Sequence, residues 1–130
     1  YGINLDLFGY EISEKFKDPE RYDIVIFKYP DDESRLFIKR VIGLPGEVVE
    51  IKDGKVYIDG SPTSLDDSFI PEKMIGSYGP YTVPENCYFM LGDNRNDSKD
   101  SRLWKNKFVR FDQIEGKAVV RYYPSFKWLG

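Results

Sequence analysis

The chain has 130 residues, 41% hydrophobic and 16% aromatic, which supplies the core of a single domain over 1–130. No run approaches the ~20 apolar residues of a membrane-spanning helix, and the charged residues nearly balance at net −3 with no basic block, so nucleic acid is not expected as a partner. There is no histidine and a single cysteine, Cys87, which excludes within this chain a Ser-His-Asp triad, a Cys-His pair, a His-based or multi-Cys metal site and an internal disulfide.

In chain order, Leu5 and Leu7 suggest a short strand, and Asp18-Pro19 ends the first segment as a turn. Tyr22–Tyr29 is rich in β-branched and aromatic residues and predicts a strand. Pro30 to Ser34 is a polar turn. Leu36 to Ile42 then returns as the next strand, so the two form a hairpin, and Gly43-Leu44-Pro45-Gly46 breaks it. Glu47–Lys52 and Lys55–Asp59 alternate well, with the hairpin dipeptide Asp53-Gly54 between them. Residues 61–80 read as a loop or lid. Tyr81–Val83 and Cys87–Leu91 are short strands, and Gly92–Arg102 is a polar loop. A turn of helix is expected within 108–115 and a last strand at Gly116–Tyr123. Together these predict a mainly β fold: antiparallel sheets forming a folded, partly closed barrel-like domain with long polar loops.

In Leu36–Gly46 the pair Lys39-Arg40 interrupts an apolar run. On a strand, Phe37, Lys39 and Val41 share one face, and Ile38, Arg40 and Ile42 the other. A lysine so placed is either a snorkelling surface residue or an amine pushed towards neutrality by burial. At the ordinary pKa of ~10.4, roughly one lysine in 2,500 is neutral at pH 7. Lowering that value to about 7–8 takes ~3 units, or about 4 kcal/mol of lost ion solvation. With no histidine, a metal-free hydrolase takes its base from Lys, Asp, Glu or Tyr.

Gly92–Arg102 (GDNRNDSKDSR) holds three Asp, two Arg, one Lys, two Asn and two Ser. It reads either as a solvated loop or, between apolar Tyr88–Leu91 and Leu103-Trp104, as a held loop that carries function. Asp100 and Arg102 are placed to pair, Asp93 to reach an arginine elsewhere, and a serine hydroxyl to orient the Lys39 amine.

These residues resemble the bacterial type I signal peptidases, membrane-bound Ser-Lys endopeptidases. Three blocks carry the resemblance: Asp23-Ile24-Val25-Ile26-Phe27; Phe37-Ile38-Lys39-Arg40-Val41-Ile42-Gly43-Leu44-Pro45-Gly46; and Gly92-Asp93-Asn94-Arg95, then Ser98, then Asp100-Ser101-Arg102. With the spacer Gly79 to Pro84 and Gly116-Lys117-Ala118 they cover about residues 18–123. The resemblance implies that Lys39 is the general base and Ser98 the hydroxyl that orients it. It implies that Asp100 and Arg102 pair for structure and that Asp93 is a partner of Arg40. Phe37 and Ile38 would border the substrate groove, and Ile26 its pocket wall. The implied activity is removal of signal peptides from exported proteins after small residues (Ala-x-Ala type), with no cofactor or metal. The implied partners are signal peptides and a membrane surface, with the catalytic domain on the extracytoplasmic face of the cell membrane. No oligomeric state is implied.

The chain departs from the family pattern in two places. None of its serines is followed by Met-x-Pro, the family's nucleophile box, so the chain as given is expected to be inactive. Starting at Tyr1, it reads as a fragment whose anchor and nucleophile segment lie upstream. Tyr22 stands where the family often has Gly. The alternative readings are a non-catalytic homologue that binds signal peptides and a cytosolic Ser-Lys autoprotease of the repressor type. The aromatics Tyr122, Tyr123, Phe126 and Trp128 suit either a core, a tail or a membrane interface.

Overall fold

The structure, a computed structural model, describes residues 5–7, 10–14, 18–66, 74–93, 95 and 99–120. Among the described residues, ten strands form two antiparallel sheets, with one 3₁₀ turn beside them. The large sheet contains β1 (Leu5–Leu7), β2 (Tyr10–Glu14), β3 (Ile24–Tyr29), β4 (Asp32–Gly43), β8 (Cys87–Leu91), β9 (Val109–Arg110) and β10 (Ile114–Val120). Its order is β1-β2-β10-β3-β4-β8-β9. The small sheet is β6 (Lys55–Ile58), β5 (Val48–Lys52) and β7 (Tyr78–Thr82), in that order. The mainly β, antiparallel architecture is the expected one. Among the described residues the large sheet ends in β1 and β9 and does not close into a barrel.

Several boundaries differ from expectation. β3 starts at Ile24 because Tyr22 has φ of +75°. That left-handed conformation favours glycine, a backbone reason for the family's preference there. The β3–β4 turn shrinks to Pro30-Asp31, so β4 is twelve residues long. β7 takes in Tyr78, Gly79 and Pro80, the end of the expected lid. The polar, mixed residues of β2 and the two-residue β9 gave no strand signal. The helical turn is Phe111–Gln113. The expected end of the last strand and the C-terminal aromatics lie outside the described residues.

The Arg40–Gly43 end of β4 and nearly all of β8 are buried on both faces, which explains their apolar sequences around Val41-Ile42 and Tyr88–Leu91. Val41, Tyr88 and Met90 join a core with Val25, Phe27, Tyr29, Trp104, Val109 and Ile114. Their chain neighbours Ile42, Phe89 and Leu91 join a second core with Val49, Ile51 and Val56 of the small sheet. Burying each such side chain contributes about 1.5–3 kcal/mol. Two cores thus hold the central strands from opposite sides and fix their register.

The sheets pack tightly at Gly43. A Cβ there would lie 2.6 Å from Val49 Cγ2 and 2.9 Å from Phe89 Cβ. Gly43→Ala should therefore destabilise the fold by about 1–3 kcal/mol through overpacking. Urea unfolding measures this, and an unchanged midpoint would contradict the close approach.

Candidate active site

Lys39 lies on β4 opposite Val25 of β3. Its face also carries Phe37 and Val41, both packed into the first core. The side chain is half-buried, with Nζ 5.9 Å from the centre of the Phe37 ring. Burial pushes the Lys39 ammonium below the ordinary lysine value; Asp100 and Asp93 pull it partly back, and Arg102 lowers it further. β8 pairs with β4 only through Arg40, Val41 and Gly43, and its last partner is Arg40–Leu91. The polar loop therefore leaves β8 directly beside Lys39. Among the described residues, no strand pairs with Asp32 to Lys39 on that side.

Among its described residues, the loop is buried except at Lys99. Asp93, Arg95, Asp100, Ser101 and Arg102 are all buried. The Asp100 carboxylate accepts Arg102 Nε at 2.8 Å and Arg102 Nη2 at 2.9 Å. It also accepts the backbone N–H of Arg102 at 3.2 Å and of Gly92 at 3.1 Å. Arg102 Nη2 donates to the carbonyl of Arg95, whose Nε donates to the Gly92 carbonyl at 2.9 Å. Ser101 is joined to Met90 of β8 twice, accepting the Met90 N–H on Oγ at 2.8 Å and donating its own N–H to the Met90 carbonyl at 3.1 Å. The Arg102 guanidinium also lies 5.3 Å from the Tyr78 ring of the small sheet. No buried side-chain nitrogen or oxygen among the described residues lacks a partner.

Arg40 points to the other face of β4 and grips Asp93 with two bonds, Nε–Oδ1 at 2.8 Å and Nη2–Oδ2 at 2.7 Å. Its Nη1 donates to the Tyr22 carbonyl at 2.9 Å. The structure thus brings Lys39, Arg40, Asp93, Asp100 and Arg102 into one neighbourhood. Ser98 lies outside the described residues. Ile26 and Ile38 are cross-strand partners on the face opposite Lys39. Phe37 is on the Lys39 face, stacked on Tyr29 at 4.3 Å and 8°. The three groove candidates are therefore divided between two faces of the sheet.

Sequence reasoning missed three supports. Arg95 is 1% exposed and braces the loop; its place in the GDNR block was the available signal. Ser101 stitches the loop to β8, and Lys107 Nζ donates to the carbonyls of Arg102 and Trp104 at 3.2 and 2.9 Å. Neither contact has a local sequence signature.

Residues 3–123 match the family described as signal peptidase, peptidase S26. The chain belongs to this family. It is 42% identical over 128 residues to a probable signal peptidase I-2 of Synechocystis, covering 94% of this chain and 56% of the relative. It is 40% identical to the signal peptidase I of Leptolyngbya laminosa, covering 94% of this chain and 62% of the relative. The chain thus spans about three-fifths of the length of these curated relatives. A crystal structure of a signal peptidase I from Enterococcus faecalis V583 superposes with a TM-score of 0.67 at 36% identity. That superposition covers 79% of this chain and 98% of the other.

Two stability measurements follow from the site. Breaking a buried ion pair from one side leaves an uncompensated charge, so Asp100→Asn should cost about 3–5 kcal/mol. Glu50→Gln, at the exposed pair with Lys52, should cost less than about 1 kcal/mol. Equal losses on urea unfolding would contradict a load carried by Asp100. For Lys39, between its lowered folded value and ~10.4 the unfolded chain binds more protons than the folded one. The Lys39 contribution to stability therefore rises with pH across that window. Lys39→Met should gain most over the parent chain below the window, with the gain fading as pH rises towards ~10.4. A difference independent of pH would contradict the buried amine.

Proposed function

We propose that this chain forms the general-base half of a serine endopeptidase that removes signal peptides after small residues. The observation that carries the reading is the geometry around Lys39: an amine pushed down by burial, beside a loop fixed on both sides of Ser98. The family membership supports the same reading. The neutral Lys39 amine takes the proton from a serine hydroxyl supplied by a Ser-Met-x-Pro box outside residues 1–130. That oxygen attacks the scissile carbonyl and gives a tetrahedral intermediate. Lys39 then returns the proton to the leaving amine, and the acyl-enzyme forms. Water, deprotonated by Lys39, releases the acyl group in the second half of the cycle.

Ser98 would accept or donate a hydrogen bond at the Lys39 amine and set its direction. Arg40–Asp93 and Asp100–Arg102 would position rather than react, since each charge is already spent on its partner. The unpaired edge of β4 suits an extended peptide, which would pair with it by strand addition. Phe37 and Ile38 would then meet alternate side chains of that peptide, with Ile26 behind Ile38. Shallow apolar pockets of this kind reject large side chains by clash. Catalysis at a membrane surface, on the extracytoplasmic side and within one domain, fits this substrate class.

The test uses the full-length protein and a peptide containing Ala-x-Ala. Lys39→Met should lower kcat/KM by at least about 10²- to 10⁴-fold. In the parent protein the rate should rise with pH through an acid limb lying below the ordinary lysine value. Full activity in Lys39→Met would overturn the mechanism. Peptide binding without cleavage by the native full-length protein would favour the signal-peptide-binding homologue instead.

A further inference from the structure

Beside Lys39 lies a cationic cluster that this mechanism does not use. The stacked rings of Tyr29 and Phe37 are closed by Trp104, 5.5 Å from the first and 6.0 Å from the second. The Arg35 guanidinium carbon stands 5.4 Å from the Phe37 ring and 5.9 Å from the Tyr29 ring. Lys99 Nζ reaches the same Tyr29 ring at 5.7 Å. The Lys99 backbone is held in turn, because its carbonyl accepts Trp104 Nε1–H at 3.1 Å.

Both cations are exposed, and among the described residues neither has an ion-pair partner. The acids of the adjoining turn are already engaged. Asp31 accepts the backbone N–H groups of Lys105 and Asn106 and the Asn106 side-chain amide, each at 2.8 Å. Asp32 accepts the Ser34 hydroxyl at 2.6 Å and the Ser34 N–H at 3.2 Å, and it feels the Arg35 charge across solvent without forming an ion pair with it. The ring faces attract each cation, yet two like charges drawn to one ring still repel. An anion between them relieves that repulsion.

The position of the pair sets what the anion belongs to. Arg35 precedes Lys39 by four residues on the same strand, at most about 13 Å, and stands just beyond the regular stretch Leu36 to Lys39, where β4 bulges against β3. It adjoins the stretch of β4 that β8 leaves unpaired. An extended peptide on that edge advances by the same rise per residue. A side chain about four residues from the bond cut at Lys39 therefore arrives at Arg35 and Lys99. We propose that Arg35 and Lys99 form an anion subsite that favours substrates bearing Asp or Glu about four residues from the scissile bond. The inference rests on the protease reading above. A lipid phosphate carries the same charge, but an extended chain alone explains the alignment with the open strand edge.

The test scans a single Asp, against Asn at the same place, through each position of an Ala-x-Ala peptide within six residues of the cut. With the full-length protein, one position about four residues from the bond should favour Asp about three- to tenfold in kcat/KM, chiefly through KM. In Arg35→Gln/Lys99→Gln that Asp-to-Asn ratio should fall to about one, and in Arg35→Glu/Lys99→Glu the same position should favour Lys over Asp. Raised salt should shrink the ratio. A flat Asp scan, or a preference that survives neutralisation, overturns the subsite. A flat scan combined with charge-dependent binding to phosphatidylglycerol vesicles overturns it in favour of a lipid site. If no peptide is cut, or Lys39→Met cuts as well as the parent, the protease reading fails instead.

Discussion

The fully buried carboxylate of Asp100 is the constraint on which the site depends. It gathers the guanidinium and N–H of Arg102 and the N–H of Gly92, the two ends of the polar loop. A carboxylate taken out of water is tolerable only when such bonds replace its hydration. Ser101 and Arg95 complete the closure against β8 and within the loop. The described ends of a segment composed almost wholly of polar residues are thus tied to the strands beside it.

That closure also decides the electrostatics of Lys39. Two aspartates lie near enough to hold an ammonium charged, and desolvation still wins. Asp93 is bound through both oxygens by Arg40, and Asp100 by Arg102. Both acids still pull the amine upward, Arg102 opposes them, and the loss of hydration on burial is the largest effect. The apolar surroundings of Phe37, Val41 and Val25 then dominate. The two ion pairs hold the described ends of the loop in place, and Arg102 offsets part of the pull of the acids on the amine.

The fold was legible where local chemistry is unambiguous. Asp53-Gly54 gave the β5–β6 hairpin and Cys87–Leu91 its strand, while the β3–β4 turn was read at Pro30 to Ser34, longer than the observed Pro30-Asp31. Alternation placed Lys39 on the face of Phe37 and Val41. What stayed hidden depends on contacts distant in sequence. β2 is a strand because β10 and β1 flank it, and its own residues, Tyr-Glu-Ile-Ser-Glu, have no apolar face to announce it. β9 exists only as the partner of two residues of β8. Composition alone allowed Gly92–Arg102 to be solvated, and only the pairing of its charges explains its burial. The division of Ile26 and Ile38 from Phe37 was implicit in the period of two, but the groove expectation grouped them by sequence proximity.

The central claim is that burial on a strand face pushes the Lys39 amine below the ordinary lysine value. The most direct measurement is an NMR titration of the Lys39 side chain, with ¹³C at Cε and the resonance assigned through Lys39→Met. The account predicts a midpoint below the ordinary lysine value of ~10.4, resolved from the other lysines. A Lys39 resonance that titrates with the surface lysines near ~10.4 would contradict it.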